Sequence, residues 1–310
     1  MDPAAKTPIP LSRAFATPTS AAAGVRAHDG RTARDGWEAE IDLRYSHRGG
    51  RTVLGDWSHR GPLCVQRSFH PEPADCCHSY LLHPPGGIAG GDRLSIRVAA
   101  EIGSNALLTT PAATKVYRSD GRASRQTQDL RLEAGARLEW LPQETICHSG
   151  AEVSLETRVE LNAGARFVGW EVICLGLPCS DAPFERGHVE QRIEVWREAT
   201  PLLCERTEIR AGSPILDAAW GLAGRTVFGT LVFTLEPGDP DVARVLDRIR
   251  ARVRASEPER FAASALDGAI VCRVLGDSAL RCRALLVSAW KLLRAEVLGL
   301  PACPPRIWNT

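Results

Sequence analysis

No stretch of this chain approaches the eighteen or so consecutive apolar residues that a membrane-spanning helix needs, so no membrane association is expected. No apolar secretory segment precedes the ten cysteines either, which argues against a disulfide scaffold and for reduced thiols in the cytoplasm. Charge of one sign is not in excess. With 38 basic and 37 acidic side chains the formal charge is +1, which leaves no electrostatic footprint for nucleic acid or anionic lipid. Lysine is scarce: Lys6, Lys115 and Lys291 are the three in the chain, and the other basic residues are arginines, suited to planar, bidentate contacts. The phosphate loop G-x-x-x-x-G-K-[ST], the nucleophile elbow G-x-S-x-G and the zinc-protease motif H-E-x-x-H are absent. Nothing in the pattern assembles a nucleophile, a base and an oxyanion site.

What is present centres on residues 76 to 119. A Cys/His cluster leads into Pro84, Pro85, Gly86 and Gly87, and a second glycine pair, Gly90 and Gly91, follows before Asp92. Proline fixes φ and glycine permits positive φ or close backbone approach, so a rigid, sharply folded structural loop is expected. A strand pattern follows the loop, with Leu94, Ile96 and Val98 alternating against Arg93, Ser95 and Arg97. A dinucleotide fold would need a helix there.

Strand patterns dominate from Trp37 onward, the clearest being Val153, Leu155, Thr157, Val159 and Leu161 on one face. The segment Leu132 to Trp140 recurs as Leu161 to Gly169, with a fainter copy at Glu101 to Leu107. A stacked β coil would produce this spacing, and so would hairpins of a sandwich. Two helices are expected late in the chain, one carrying Val242, Val245, Leu246, Ile249 and Val253 at helical spacing, the other running from Ser278 to Leu298 and stopping at Gly299. Residues 1–34 lack apolar periodicity and are expected to be a disordered tail, leaving 35–310 as a single mainly β domain.

The candidate chemistry is soft ligands and carboxylates. Cys76, Cys77, His78 and His83 lie within eight positions, although their spacing matches no structural-zinc pattern, and buried cysteine often serves as a small apolar filler. Asp92, Glu139, Glu144, Glu171 and Glu205 each lie in or beside an apolar run. Facing outward they are ordinary surface acids, and facing inward they would line a wet polar passage. Trp290, Arg294, Arg306 and Trp308 are candidate interface anchors; Trp308, if buried, would pin the chain end.

Four motifs in order, HPPGGIAGGD at 83–92, LLTTPAATKVYRS at 107–119, LEWLPQETI at 138–146 and PRIW at 305–308, resemble the urease accessory protein UreD family, also called UreH. The resemblance implies a β-helix-like fold of stacked sheets with a small helical part. It further implies a non-catalytic scaffold that joins a helical accessory protein, UreF, and a GTPase accessory protein, UreG, on urease apoprotein and assists nickel delivery. No tightly bound cofactor is implied, only transient Ni²⁺. The implied metal contacts are Cys77, His78 and His83, and the implied internal route matches Asp92, Thr114, Glu171 and Glu205. Cys147-His148 and Leu177 depart from the family pattern. A different reading is a carbohydrate-acting enzyme on a β-helix, which requires Asp92, Lys115 and Glu171 exposed together on one face.

Overall fold

A computed structural model describes residues 36–72, 75–255 and 259–309, so the tail expected over 1–34 lies outside the described residues. Among these, the chain opens with β1 (Glu38–Arg48), β2 (Arg51–Arg60), β3 (Cys64–Val65), β4 (Cys77–Leu82), β5 (Arg93–Ala100), β6 (Asn105–Thr109) and β7 (Thr114–Val116). It continues with β8 (Ser124–Leu132), β9 (Arg137–Trp140), β10 (Thr145–Cys147), β11 (Ala151–Leu161), β12 (Arg166–Leu175), β13 (Gly187–Arg197) and β14 (Thr200–Arg210). The last third adds β15 (Val227–Thr234), α1 (Val242–Arg252), β16 (Arg260–Leu266), β17 (Ala269–Gly276) and α2 (Ala279–Leu298).

Parallel pairing turns these strands into a solenoid of about four turns. On one wall β1, β5, β8, β11 and β13 lie side by side in parallel; on the facing wall β4, β6, β9 and β12 do the same, and β7 and β10 build a short third ladder onto β12. Antiparallel strands extend the walls at their edges, β2 and β14 on the first and β15, β17 and β16 on the second. The stacked coil, one of two readings of the repeat, is the observed one. Its corners explain the repeated Gly-Ala: Gly103, Gly135 and Gly164 have φ of 68°, 67° and 69°, and the Gly103 and Gly135 amides donate to the Ala134 and Ala163 carbonyls of the next turn, at 3.1 Å each. A side chain with Cβ strains at that φ, so glycine recurs once per turn.

The two walls differ in sequence because they differ in burial. The first has one face in water, and β11 alternates accordingly, with Val153, Leu155, Thr157, Val159 and Leu161 inward. Its outer face carries ion pairs such as Arg97 with Asp42 and Glu40, and Arg158 with Glu194, half-exposed and each worth little by itself. The second wall is covered on both sides. Leu108, Leu138 and Phe167 face the lumen, whereas Leu107, Val168, Trp170 and Phe233 pack under Val245 and Ile249 of α1 and Leu286, Trp290 and Leu293 of α2. Both helices stand where the apolar spacing places them. In α2 the Ser278 hydroxyl accepts from the Arg281 amide and Gly299 closes the helix at φ 64°.

Candidate functional site

The glycine loop is a brace for the lumen mouth. The Gly86 amide donates to the His83 carbonyl at 2.8 Å, closing a turn over Pro84 and Pro85, and Ile88 pairs with Lys115 and Tyr117 of the β7 segment. A Cβ on Gly87 would sit 2.3 Å from the Tyr117 ring and 2.8 Å from the Lys115 carbonyl, so only glycine fits this approach. Gly91 has φ of 90°, and Gly90 lies against Ser119. Asp92 ties the loop's far end: its two carboxylate oxygens accept from the Trp37 and Ala89 amides at 2.8 Å each.

Behind this mouth lies a cavity of about 160 Å³. Its lining includes His83, Pro84, Gly86 and Gly87 of the loop, the polar Thr110, Thr114, Gln143 and Thr145, and Gln126, Gln128 and Glu171 of the walls. Glu171, in β12, accepts from the Thr157 hydroxyl and from Gln191 Nε2, the latter at 2.6 Å. Burial pushes its carboxyl above the usual range; these two donors oppose the shift and the charge of Glu205 adds to it. A second, much smaller cavity shares Trp140 and Glu171 with the first and reaches Thr230, the register partner of Glu171 on β15. The Thr230 hydroxyl donates to Glu205 at 2.8 Å, and Arg273, half-exposed, pairs with the other Glu205 oxygen at 2.5 Å. Thr114 and Glu171 thus line one cavity, Glu205 is linked to the strand neighbour of Glu171 through Thr230, and Asp92 lies outside the lining.

Gln126, Gln128, Thr157, Gln191 and Thr230 were not singled out from the sequence, yet a signal was there. Each of the first four sits in phase with the inward apolar residues of its strand, as Gln126 and Gln128 do with Leu130 and Leu132. Polar residues on the buried phase of an amphipathic strand mark a wet interior.

The soft-ligand candidates are split by strand alternation. Cys77 points into the lumen-side core, whereas Cys76 and His78 point to the opposite face, under α2. His83 stays at the cavity mouth, so Cys77, His78 and His83 are not brought together. Cys76 and His78 are joined instead by Glu72, which the sequence reading did not consider: His78 Nε2 donates to Glu72 at 2.7 Å, and Arg294 donates to Glu72 at 2.8 and 3.0 Å. Arg294 also reaches Glu139 at 2.9 Å and the Pro301 carbonyl at 2.7 Å, and Trp290 Nε1 donates to Glu139 at 2.6 Å. This places Trp290 and Arg294, expected as interface anchors, at zero exposure in the interior. They face inward because Glu139 on β9 needs them there. Trp308 packs between Trp170 and Trp290 and donates to the Thr109 hydroxyl at 2.9 Å, pinning the chain end, while Arg306 remains exposed. Cys147 is buried, and the adjacent His148 lies against Tyr117 with the two rings tilted by 50°, so that pair makes no joint site.

Comparison with known proteins gives the same answer along the whole described body. A family model described as UreD urease accessory protein matches residues 38–309. The chain belongs to the UreD family. Among its relatives, the urease accessory protein UreD of Alkalilimnicola ehrlichii is 45% identical over 89% of this chain and 92% of its own length. That of Pseudomonas fluorescens is 45% identical over 88% and 95%, and UreD 2 of Brucella anthropi 41% identical over 89% and 99%. As a UreD-family member the chain is an accessory protein with a role in urease maturation, and not an enzyme. The carbohydrate-acting alternative is overturned on geometry as well, because Glu171 faces the lumen while Lys115 stands outside, exposed. Among the described residues of this UreD-family chain no helix is long and apolar enough to cross a membrane.

Proposed function

We propose that the chain serves urease maturation as a cytoplasmic scaffold that docks with UreF and UreG on urease apoprotein, and that Ni²⁺ crosses its interior on the way to the urease site. The observation that carries this reading is a cavity lined by hydroxyl, amide and carboxylate side chains and holding Glu171, whose strand neighbour Thr230 is hydrogen-bonded to Glu205. Carboxylates, hydroxyls and amides hold Ni²⁺ more loosely than thiolates, which favours transit over storage. A cavity of about 160 Å³ also has room for a cation that keeps water around it. GTP hydrolysis, on this reading, belongs to the GTPase partner. The experiment is Glu171→Leu in cells that assemble the whole accessory complex. Recovered urease should be nickel-poor and weakly active, while co-purification of the accessory proteins is unchanged. Urease of normal nickel content from that strain would exclude the route.

A further inference from the structure

The first turn of the solenoid has nothing stacked on it. Among the described residues β2 pairs with β1 alone, and β3, with the 66–70 segment that continues it, pairs with β4 alone. Between these two free edges runs a cleft of about 610 Å³, with Arg51, Val53, Leu54 and Trp57 on the β2 side and Val65 and Arg67 across from them. His70 Nε2 donates to the Thr52 carbonyl at 2.6 Å and joins the two sides at one place. On the far edge the Gln66 and Phe69 amides donate to β4 at 2.9 and 3.1 Å, whereas the Arg67 and Ser68 amides between them meet no acceptor among the described residues. Free amides on a strand edge are open to pairing with another chain. Charge at the cleft is one-sided as well. Arg97, Arg125 and Arg158 on the first wall each have a carboxylate partner, but Arg51 and Arg67 are exposed and have none among the described residues. Asp56, also on β2, lines a separate groove on the outer face of the wall.

From these features we infer that the open end is a docking surface for an acidic, extended segment of a partner protein, which adds to the Gln66–Ser68 edge as a further strand. Strand addition supplies main-chain hydrogen bonds to the free amides, and alternation of side chains sends one set to the arginines and the other to an apolar surface. Carboxylates suit Arg51 and Arg67, whose guanidinium groups take them two bonds at a time. Apolar side chains of the segment would rest on Val53, Leu54 and the ring of Trp57, which is 48% exposed and of the type that anchors interfaces. Arg51 to Trp57 extends about 20 Å, so a segment of about six to eight residues fills the cleft. A nucleic acid would use the arginines and leave the amides unpaired, and a formal charge of +1 does not favour one. The cleft serves the scaffold role proposed above, on which this assignment rests, and is independent of the lumen.

The test uses full-length protein and a fluorescein-labelled peptide of alternating glutamate and valine, about eight residues long, with fluorescence polarisation as the readout. Wild type should bind it saturably, and the Arg67 and Ser68 amides should gain protection from hydrogen exchange. Arg51→Glu and Arg67→Glu should each weaken binding about tenfold. Arg244→Glu, on α1 and likewise exposed and unpaired among the described residues, should change nothing, and Glu171→Leu should bind as wild type does. The same peptide methylated on alternate amide nitrogens should lose binding to wild type, which decides the matter even if an arginine variant folds poorly. Equal binding of the methylated peptide, equal loss in Arg244→Glu, or tighter binding of an oligothymidylate would overturn the assignment. Wild type that ignores the peptide and still co-purifies with the accessory proteins would overturn the cleft alone and leave the scaffold role standing.

Discussion

Two polar systems lie on opposite faces of one sheet, and each deals with buried charge in its own way. Beneath α2, Arg294 spends its donors on Glu72, Glu139 and the Pro301 carbonyl, with Trp290 completing Glu139, and the surroundings are dry and apolar. In the lumen, Glu171 meets only neutral donors, a hydroxyl and an amide, and the space beside it is empty enough for water. The first arrangement locks, because both carboxylates are held by one guanidinium and no solvent competes. The second leaves a carboxylate without a cation of its own, so it holds its proton more tightly than an ordinary glutamate does.

The sharpest way to break this comparison is to remove the lock. Arg294→Met leaves two enclosed carboxylates uncompensated and should cost about 3–5 kcal/mol, read as a large fall in the urea midpoint or loss of soluble protein. The same substitution made together with Glu72→Gln and Glu139→Gln should recover much of that loss; if it does not, packing rather than charge explains the region. Next in size, Trp308→Ala removes the ring between Trp170 and Trp290 and should lower stability by about 2 kcal/mol, less than for a fully enclosed tryptophan.

The smallest effect should have the opposite sign. The folded state holds the Glu171 proton more tightly than the unfolded chain does, so wild-type stability falls as pH rises from the ordinary value of 4.5 through the raised one. Glu171→Gln should therefore be the more stable protein above that window, with the difference fading toward acid pH. Parallel melting curves across pH check it, and a variant that is less stable at neutral pH would show that Glu171 is a structural member of the fold.

Much of this was legible without coordinates. Strict alternation in β11 marks a strand with one wet face, the Gly-Ala corners mark a repeat, and Ser278 and Gly299 bracket α2. Even the separation of Cys77 from Cys76 and His78 follows from the period of two in β4. The same alternation places Gln126, Gln128 and Gln191 inward, a pattern visible in the sequence once it is known which phase faces the lumen.

The local code therefore determined the elements, their caps and the orientation of each side chain relative to its own strand, because those depend on φ, ψ and residues a few positions apart. Tertiary structure alone decided that Arg294 would meet Glu72, 222 positions away, and Glu139, 155 positions away, and that Glu171, Thr230 and Glu205 would line up. Such contacts depend on which turn stacks on which, and that choice is made by the burial of both faces of a shared sheet, which no short stretch of sequence encodes.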